Sequence, residues 1–148
     1  MSWRLITVDA ACVRCELDEV PYKARPRMTK AGRAYTPAKT RRFEAAIRSA
    51  WMEEYGDRFA AYEGPVRVIV RCTRPLSKSN PKGWVGRCDT SRPDADNRLK
   101  CVLDALNGVA WKDDAQATVI AISYRPRTAY GSPVVLEVYV TYLEEEQS

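Results

Sequence analysis

The sequence predicts an α+β domain: a small mixed β-sheet with two main helices packed on one face. Three observations point there. Five stretches have the β-branched or alternating character of strands, and they lie on both sides of two stretches whose apolar residues recur at helical spacing. The chain has 148 residues, about the size of one domain, and a domain of that size buries roughly 68–70% of its unfolded surface. Hydrophobic residues make up 45% and charged residues 29%, as in a globular protein with one core, so a single domain over 1–148 is expected.

The elements follow in order. "WRLITV" at 3–8 and "CVRCELDEV" at 12–20 alternate as two short strands. The segment 21–43 carries Lys23, Arg25, Arg27, Lys30, Arg33, Lys39, Arg41 and Arg42, eight basic residues without an acid. Within it, Thr36-Pro37 reads as an N-cap followed by proline at the first helical position. Phe43, Ala46, Ile47, Ala50 and Trp51 then form an apolar helical stripe that Gly56 ends, with Lys39, Arg42 and Arg48 turned to solvent or a partner. "PVRVIVRCTR" at 65–74 is a β-branched strand, and 75–93 is a long loop rich in Pro, Gly, Ser and Lys, functional or mobile. A second helix spans about 96–107 and closes at Asn107-Gly108, with Leu99, Val102, Leu103 and Leu106 facing the core. Strands at 117–125 and 133–143 complete the sheet, and a short acidic tail covers 144–148.

Composition narrows the chemistry. The chain contains no histidine, which removes Ser-His-Asp and Cys-His catalysis, zinc deaminases and His-ligated metal sites. Any enzyme chemistry must run on carboxylates, lysine, a metal, or a hydroxyl or thiol without an imidazole base. The five cysteines are scattered; "CVRC" at 12–15 has metal-site spacing but no second pair, so reduced, mostly buried thiols are expected. No apolar stretch approaches the roughly 18 residues of a membrane span, and no export signal is read at the N-terminus. A cytoplasmic, non-membrane protein is the expectation.

The acids in this basic chain, net charge +5, concentrate around the second helix. Asp96, Lys100 and Asp104 share one helical stripe at i, i+4 and i+8, and Asp94 lies two residues ahead. "WKDDAQ" turns back near the helix end, so either Asp113 or Asp114 can face Asp94 and Asp96. Two readings stand side by side. Asp96 is a good N-cap, Asp96–Lys100 and Lys100–Asp104 are ordinary ion-pair spacings, and "DD" is a common turn. Alternatively, three converging carboxylates repel each other unless a cation lies between them, and such hard oxygen ligands suit Mg²⁺ or Mn²⁺ shared with a phosphate. In that second reading the basic surface collects a polyanion, and Lys100 stabilises charge on phosphate.

The stretch "RPDADNRLKCVLDALNGVAWKDDAQ" at 92–116 resembles the signature of the RusA-type Holliday junction resolvases, the crossover junction endodeoxyribonucleases. The shared pattern is P-D-x-D-N, a helix carrying a lysine and then D-A-L, a short turn, and an aromatic before D-D-x-Q. "KARPRMTKAGRAYTPAKTRRFE" at 23–44 resembles the basic stretch of phage-type members, while the histidine many members carry shortly before P-D is absent here. The resemblance covers roughly 12–143. It implies a RusA-like fold and a homodimeric, Mg²⁺-dependent endonuclease, often prophage-encoded, that resolves four-way DNA junctions by paired nicks in recombination and repair. Carried over by position, it implies metal-binding aspartates at Asp94, Asp96 and Asp114, a catalytic lysine at Lys100, and Asp113 as a neighbour able to share the metal.

With that resemblance, the basic run reads as a phosphate track rather than a solvated face: Lys23, Arg25, Arg27, Lys30, Arg33, Lys39 and Arg42, extended by Lys78, Lys82, Arg87 and Arg92 of the long loop. Trp84 in that loop either anchors it by half-burial or stacks on an unpaired base. The rival functions are a catalytically inactive junction-binding protein, a metal nuclease for other branched or single-stranded DNA, and an RNA-binding module whose aspartates are only caps and turns.

Overall fold

A computed structural model describes residues 2–19, 27–35, 38–90 and 95–148. Its centre is a four-stranded mixed sheet in the order β1-β6-β4-β5. The strands are β1 (Trp3–Leu17), β4 (Val66–Thr73), β5 (Ala117–Tyr124) and β6 (Val134–Gln147); β2 (Arg27–Met28) and β3 (Ala34–Tyr35) form a separate hairpin. β6 pairs antiparallel with both β1 and β4, whereas β4 and β5 run parallel. Parallel neighbours require a crossover, and helix α2 (Ala95–Leu106) lies in it.

Alternation along the strands decides the core. Ala11, Val13, Cys15 and Leu17 of β1, Val66, Val68, Val70 and Cys72 of β4, and Val134, Leu136, Val138, Val140 and Tyr142 of β6 are buried on one face. They share a cluster with Phe43, Ile47 and Trp51 of α1 (Ala38–Tyr55) and with Cys101, Val102, Ala105 and Leu106 of α2. The expected α+β architecture, a mixed sheet with two main helices against one face, is the one observed. No helix among the described residues is long and apolar enough to cross a membrane.

Several expected boundaries move. The two N-terminal strands are one, because β6 offers a continuous partner and the irregularity between Thr7 and Asp9 is absorbed as a bulge. Asp9 is held at that bulge by Arg58, at 2.9 Å. The acidic end is likewise strand, not tail: Glu144, Glu145 and Glu146 pair with Ile6, Leu5 and Arg4, and Arg4 Nε donates to Glu146 at 2.7 Å. The pair of strands thereby outruns the sheet, which leaves Trp3 and Leu5 exposed.

In α1 the buried stripe is Thr40, Phe43, Ile47 and Trp51, with Ala50 half-buried and Ala46 exposed. Gly56, at φ +57°, caps the helix end as expected, its N–H donating to Met52 O at 2.9 Å. The proposed cap at Thr36-Pro37 lies outside the described residues. Two of the three outward-turned cations are engaged within the chain: Lys39 pairs with Glu19 at 2.6 Å, and Arg48 Nε reaches the Ala105 carbonyl of α2 at 3.1 Å. Arg42 is exposed.

The core stripe of α2 is rotated from the expected one. Cys101, Val102, Ala105 and Leu106 are buried, whereas Leu99 and Leu103 are half-buried. The rotation carries Arg98 inside, 2% exposed, where Nη1 donates to the Tyr124 hydroxyl at 2.7 Å and the guanidinium lies 5.2 Å from that ring's centre. "CVRC" is no metal pair, because three residues apart on a strand places Cys12 and Cys15 on opposite faces, one exposed and one buried. All five thiols are free, and burial raises those of Cys15 and Cys72.

Candidate active site

The site is built from the two ends of α2 and the turn that follows it. Gly108, at φ +75°, lets the chain leave the helix, while Asn107 and Ala110 donate their N–H groups to Leu103 O and Leu106 O at 2.9 Å each. That tight return drives Trp111 into the core, fully buried, and Tyr142 Oη secures it by donating to Ala110 O at 2.7 Å. The two aspartates after it then part ways. Asp113 is the N-cap of a 3₁₀ turn over Asp114–Gln116: its carboxylate accepts from Ala115 N at 3.3 Å, and its own N–H donates to Gln116 Oε1 at 2.7 Å. Gln116 Nε2 locks the turn onto the connection between α1 and β4 by donating to Tyr62 O and Gly64 O at 2.6 and 2.8 Å. The spacing of the D-D-x-Q motif is therefore that of a capping box.

Asp114 points the other way. Its Oδ1 accepts from Trp111 Nε1 at 2.8 Å, and it is half-buried. Burial pushes its carboxyl above the usual range; the Trp111 hydrogen bond opposes this, and the charges of Asp104 and Asp113 add to the rise. Asp104, half-buried near the end of α2, is thus electrostatically coupled to Asp114. Its place on the stripe of Lys100 was readable in the sequence, but its link to the turn was not. Lys100 is exposed one turn earlier on the helix. Asp94 and the side chain of Asp96 lie outside the described residues, although Asp96 itself sits in the first turn of α2. No cluster of three or more acidic, Cys or His metal ligands occurs among the described residues.

A family model for the endodeoxyribonuclease RusA matches residues 19–141. The chain belongs to the RusA endodeoxyribonuclease family. It is also 38% identical over 68 residues to the uncharacterised protein YqaN of Bacillus subtilis strain 168. That match covers 40% of this chain and 48% of YqaN, so the chain spans about half the length of this curated relative.

The basic residues of this RusA-type chain are placed as follows. β2 and β3 make a hairpin closed by Thr29 and Gly32, in which Thr29 N donates to Arg33 O at 2.8 Å, and it presents Lys30 and Arg33 exposed. Lys78, Lys82 and Arg87 are exposed in the long loop. Lys23, Arg25 and Arg92 lie outside the described residues, as does the side chain of Arg27. Signals that the sequence reading missed are Trp111, Gln116 and Arg98. The first two stand in the motif and hold its geometry; Arg98 looks like any polar helix residue.

Proposed function

We propose that the protein is a divalent-metal-dependent structure-selective endonuclease, a single RusA-like domain that acts as a homodimer and resolves four-way DNA junctions by paired nicks in recombination and repair. The observation that carries this reading is the half-buried Asp114 held by Trp111 beside Asp104, in a RusA-family chain whose α2 begins at the P-D-x-D-N motif. The donor set fits a hard cation. Asp94, Asp96 and Asp114 offer carboxylate oxygens alone, and the local cost of burying Asp114 with a second carboxylate nearby is what a bound cation relieves. Asp113, committed to its turn, is at most a neighbour of the ligand set. Mg²⁺ or Mn²⁺ held there supplies polarisation of a phosphate oxygen and an activated water.

The chain's own residues do the rest. Trp111 fixes the carboxylate of Asp114, and Lys100 on the exposed side of α2 offsets negative charge on the phosphate in the transition state. Lys30 and Arg33 on the hairpin, Arg42 on α1, and Lys78, Lys82 and Arg87 on the long loop attract the DNA backbone, together with Lys23, Arg25, Arg27 and Arg92. Lys39, paired with Glu19, joins them only if that exposed pair opens. The deciding experiment compares a synthetic four-way junction with a linear duplex of the same sequence, with and without Mg²⁺. Symmetric nicks in the junction alone support resolution; binding without cleavage in Mg²⁺ or Mn²⁺ makes the protein an inactive binder.

Two further outcomes are expected. Arg25→Ala with Arg27→Ala weakens DNA binding and flattens the slope of log affinity against log salt by about 2, one for each lost phosphate contact. An unchanged slope removes this segment from the DNA path. The second concerns pH. Because the folded-state pKa of Asp114 is raised, its stabilising contribution is present at low pH and is lost as pH rises through that value. In EDTA at neutral pH, Asp114→Asn therefore melts above wild type, the difference closing as the solution is acidified. Mg²⁺ raises the wild-type melting temperature more than that of the variant. Equal melting in EDTA at both pH values contradicts the electrostatic argument.

A further inference from the structure

Residues 75–90 of the long loop form a pinned platform that leaves Trp84 partly exposed. Leu76 N donates to Thr128 O at 2.8 Å, Gly86 N to Arg127 O at 2.8 Å, and Arg127 N to Arg87 O at 2.9 Å, so the loop is laced to the β5–β6 connection. Asp89, its side chain fully buried, clamps the end of the loop to Arg74 through two bonds of 2.5 and 2.6 Å. Between these ties lies a cavity of about 300 Å³, lined by Leu76, Asn80, Trp84, Arg87, Thr90 and Arg127 among others. Trp84 is 41% exposed, and the guanidinium of Arg87 lies 4.7 Å from the centre of its ring.

We infer that this cavity is a subsite for an unpaired nucleotide, its base stacked on Trp84; the inference rests on the DNA-cleaving function proposed above. The chemistry of the lining favours that occupant. It contains two arginines and no carboxylate, and exposed Lys78 and Lys82 stand in the same loop to meet a phosphate. The buried Nε of Arg127 has no partner among the described residues. The carboxamide oxygen of Asn80 already accepts from Ser77 N at 2.8 Å, which leaves its NH₂ to donate to a base edge. Arg87 against the ring and a base on the indole is the cation–aromatic–base stack that sequence-tolerant single-strand binders use. The larger cavity of about 910 Å³ beside Asp113 has the opposite character, with Glu63, Asp113, Glu144 and Glu145 in its wall, and repels a polyanion. Because the loop is held before DNA arrives, little ordering is required on binding.

Tryptophan emission tests the subsite without cleavage. In a Trp3→Phe background Trp84 is the one exposed indole among the described residues, since Trp51 and Trp111 are fully buried. In EDTA, oligothymidylate and a four-way junction should quench its emission, and a linear duplex should not. Trp84→Ala should weaken binding of the first two about 10-fold, within the range of base–aromatic stacking, with duplex affinity unchanged. Trp84→Phe should recover most of the loss. Absence of quenching, or an equal loss on all three DNAs, overturns the subsite. Oligothymidylate quenching in a protein that never cuts junctions removes the resolvase reading and keeps the subsite; junction cleavage without quenching removes the subsite alone.

Discussion

Asp114→Asn should lower metal-dependent junction cleavage by about 10³-fold, the several kcal/mol that a bound cation contributes to the transition state. Junction binding in EDTA should be equal or tighter, because a negative charge is removed from the DNA-facing side. The substitution is nearly isosteric, and the asparagine oxygen can still accept from Trp111 Nε1, so the fold is kept. The neighbouring residue supplies the contrast. Asp113→Ala should cost about 1 kcal/mol of stability through the lost cap and leave the single-turnover cleavage rate within a few-fold of wild type. Single-turnover assays on a synthetic junction, with gel-shift titrations beside them, read both. If Asp113→Ala is the dead variant and Asp114→Asn cuts, the assignment is reversed.

Asp89→Ala should be the most destabilising single substitution in the loop, by about 3–5 kcal/mol, or roughly 10 °C in melting temperature. The side chain of Asp89 is fully buried and accepts two bonds from Arg74, while Arg127 Nη1 lies 3.8 Å away. The bond to Asp89 raises the already high pKa of Arg74, and an arginine guanidinium is too basic to shed its proton even when that partner is removed. Truncation thus deprives two nearly buried guanidinium groups of the Asp89 carboxylate. Replacing both members, Arg74→Met with Asp89→Leu, should recover much of the loss, since the more distant Arg127 is then the one guanidinium left without the Asp89 carboxylate. Calorimetric or fluorescence melts in EDTA measure both. If the double variant is as unstable as the single one, the loss comes from packing and not from the stranded charge.

These two sites also show where residue-level reading succeeds. The β-branched runs of β4, β5 and β6 and the stripe of Phe43, Ile47 and Trp51 were legible because alternation and helical recurrence are local properties of the chain. The P-D-x-D-N and D-D-x-Q spacings were legible as a pair of motifs, and they led to the RusA family that the chain belongs to. The choice between Asp113 and Asp114 was not a local matter. Both are aspartates in one turn, and only the burial of Trp111 behind one of them and the Gln116 box around the other separates their surroundings. Arg98 failed for a related reason: the rotation of α2 about its axis is set by the sheet and by α1, and a rotation of one position carries an arginine inward to Tyr124.

Length, pattern and charge alone sufficed to state the α+β class, the order of most elements, the chemistry open to a chain without histidine, and the region in which its acids gather. Folding added what depends on distant partners. Pairing with β6 merged two strands into β1 and turned the acidic end into strand, because a continuous ladder satisfies backbone groups that a break would leave exposed. Asp104 and Asp114, ten residues apart in the chain, come within electrostatic reach because the turn after α2 must bury Trp111. Trp84 is held open because the loop is tethered before it by Leu76 to Thr128 and after it by the Arg127 backbone and Asp89. Local periodicity carries no information about such contacts, since each joins side chains or backbone groups brought together only by the packing of the whole sheet.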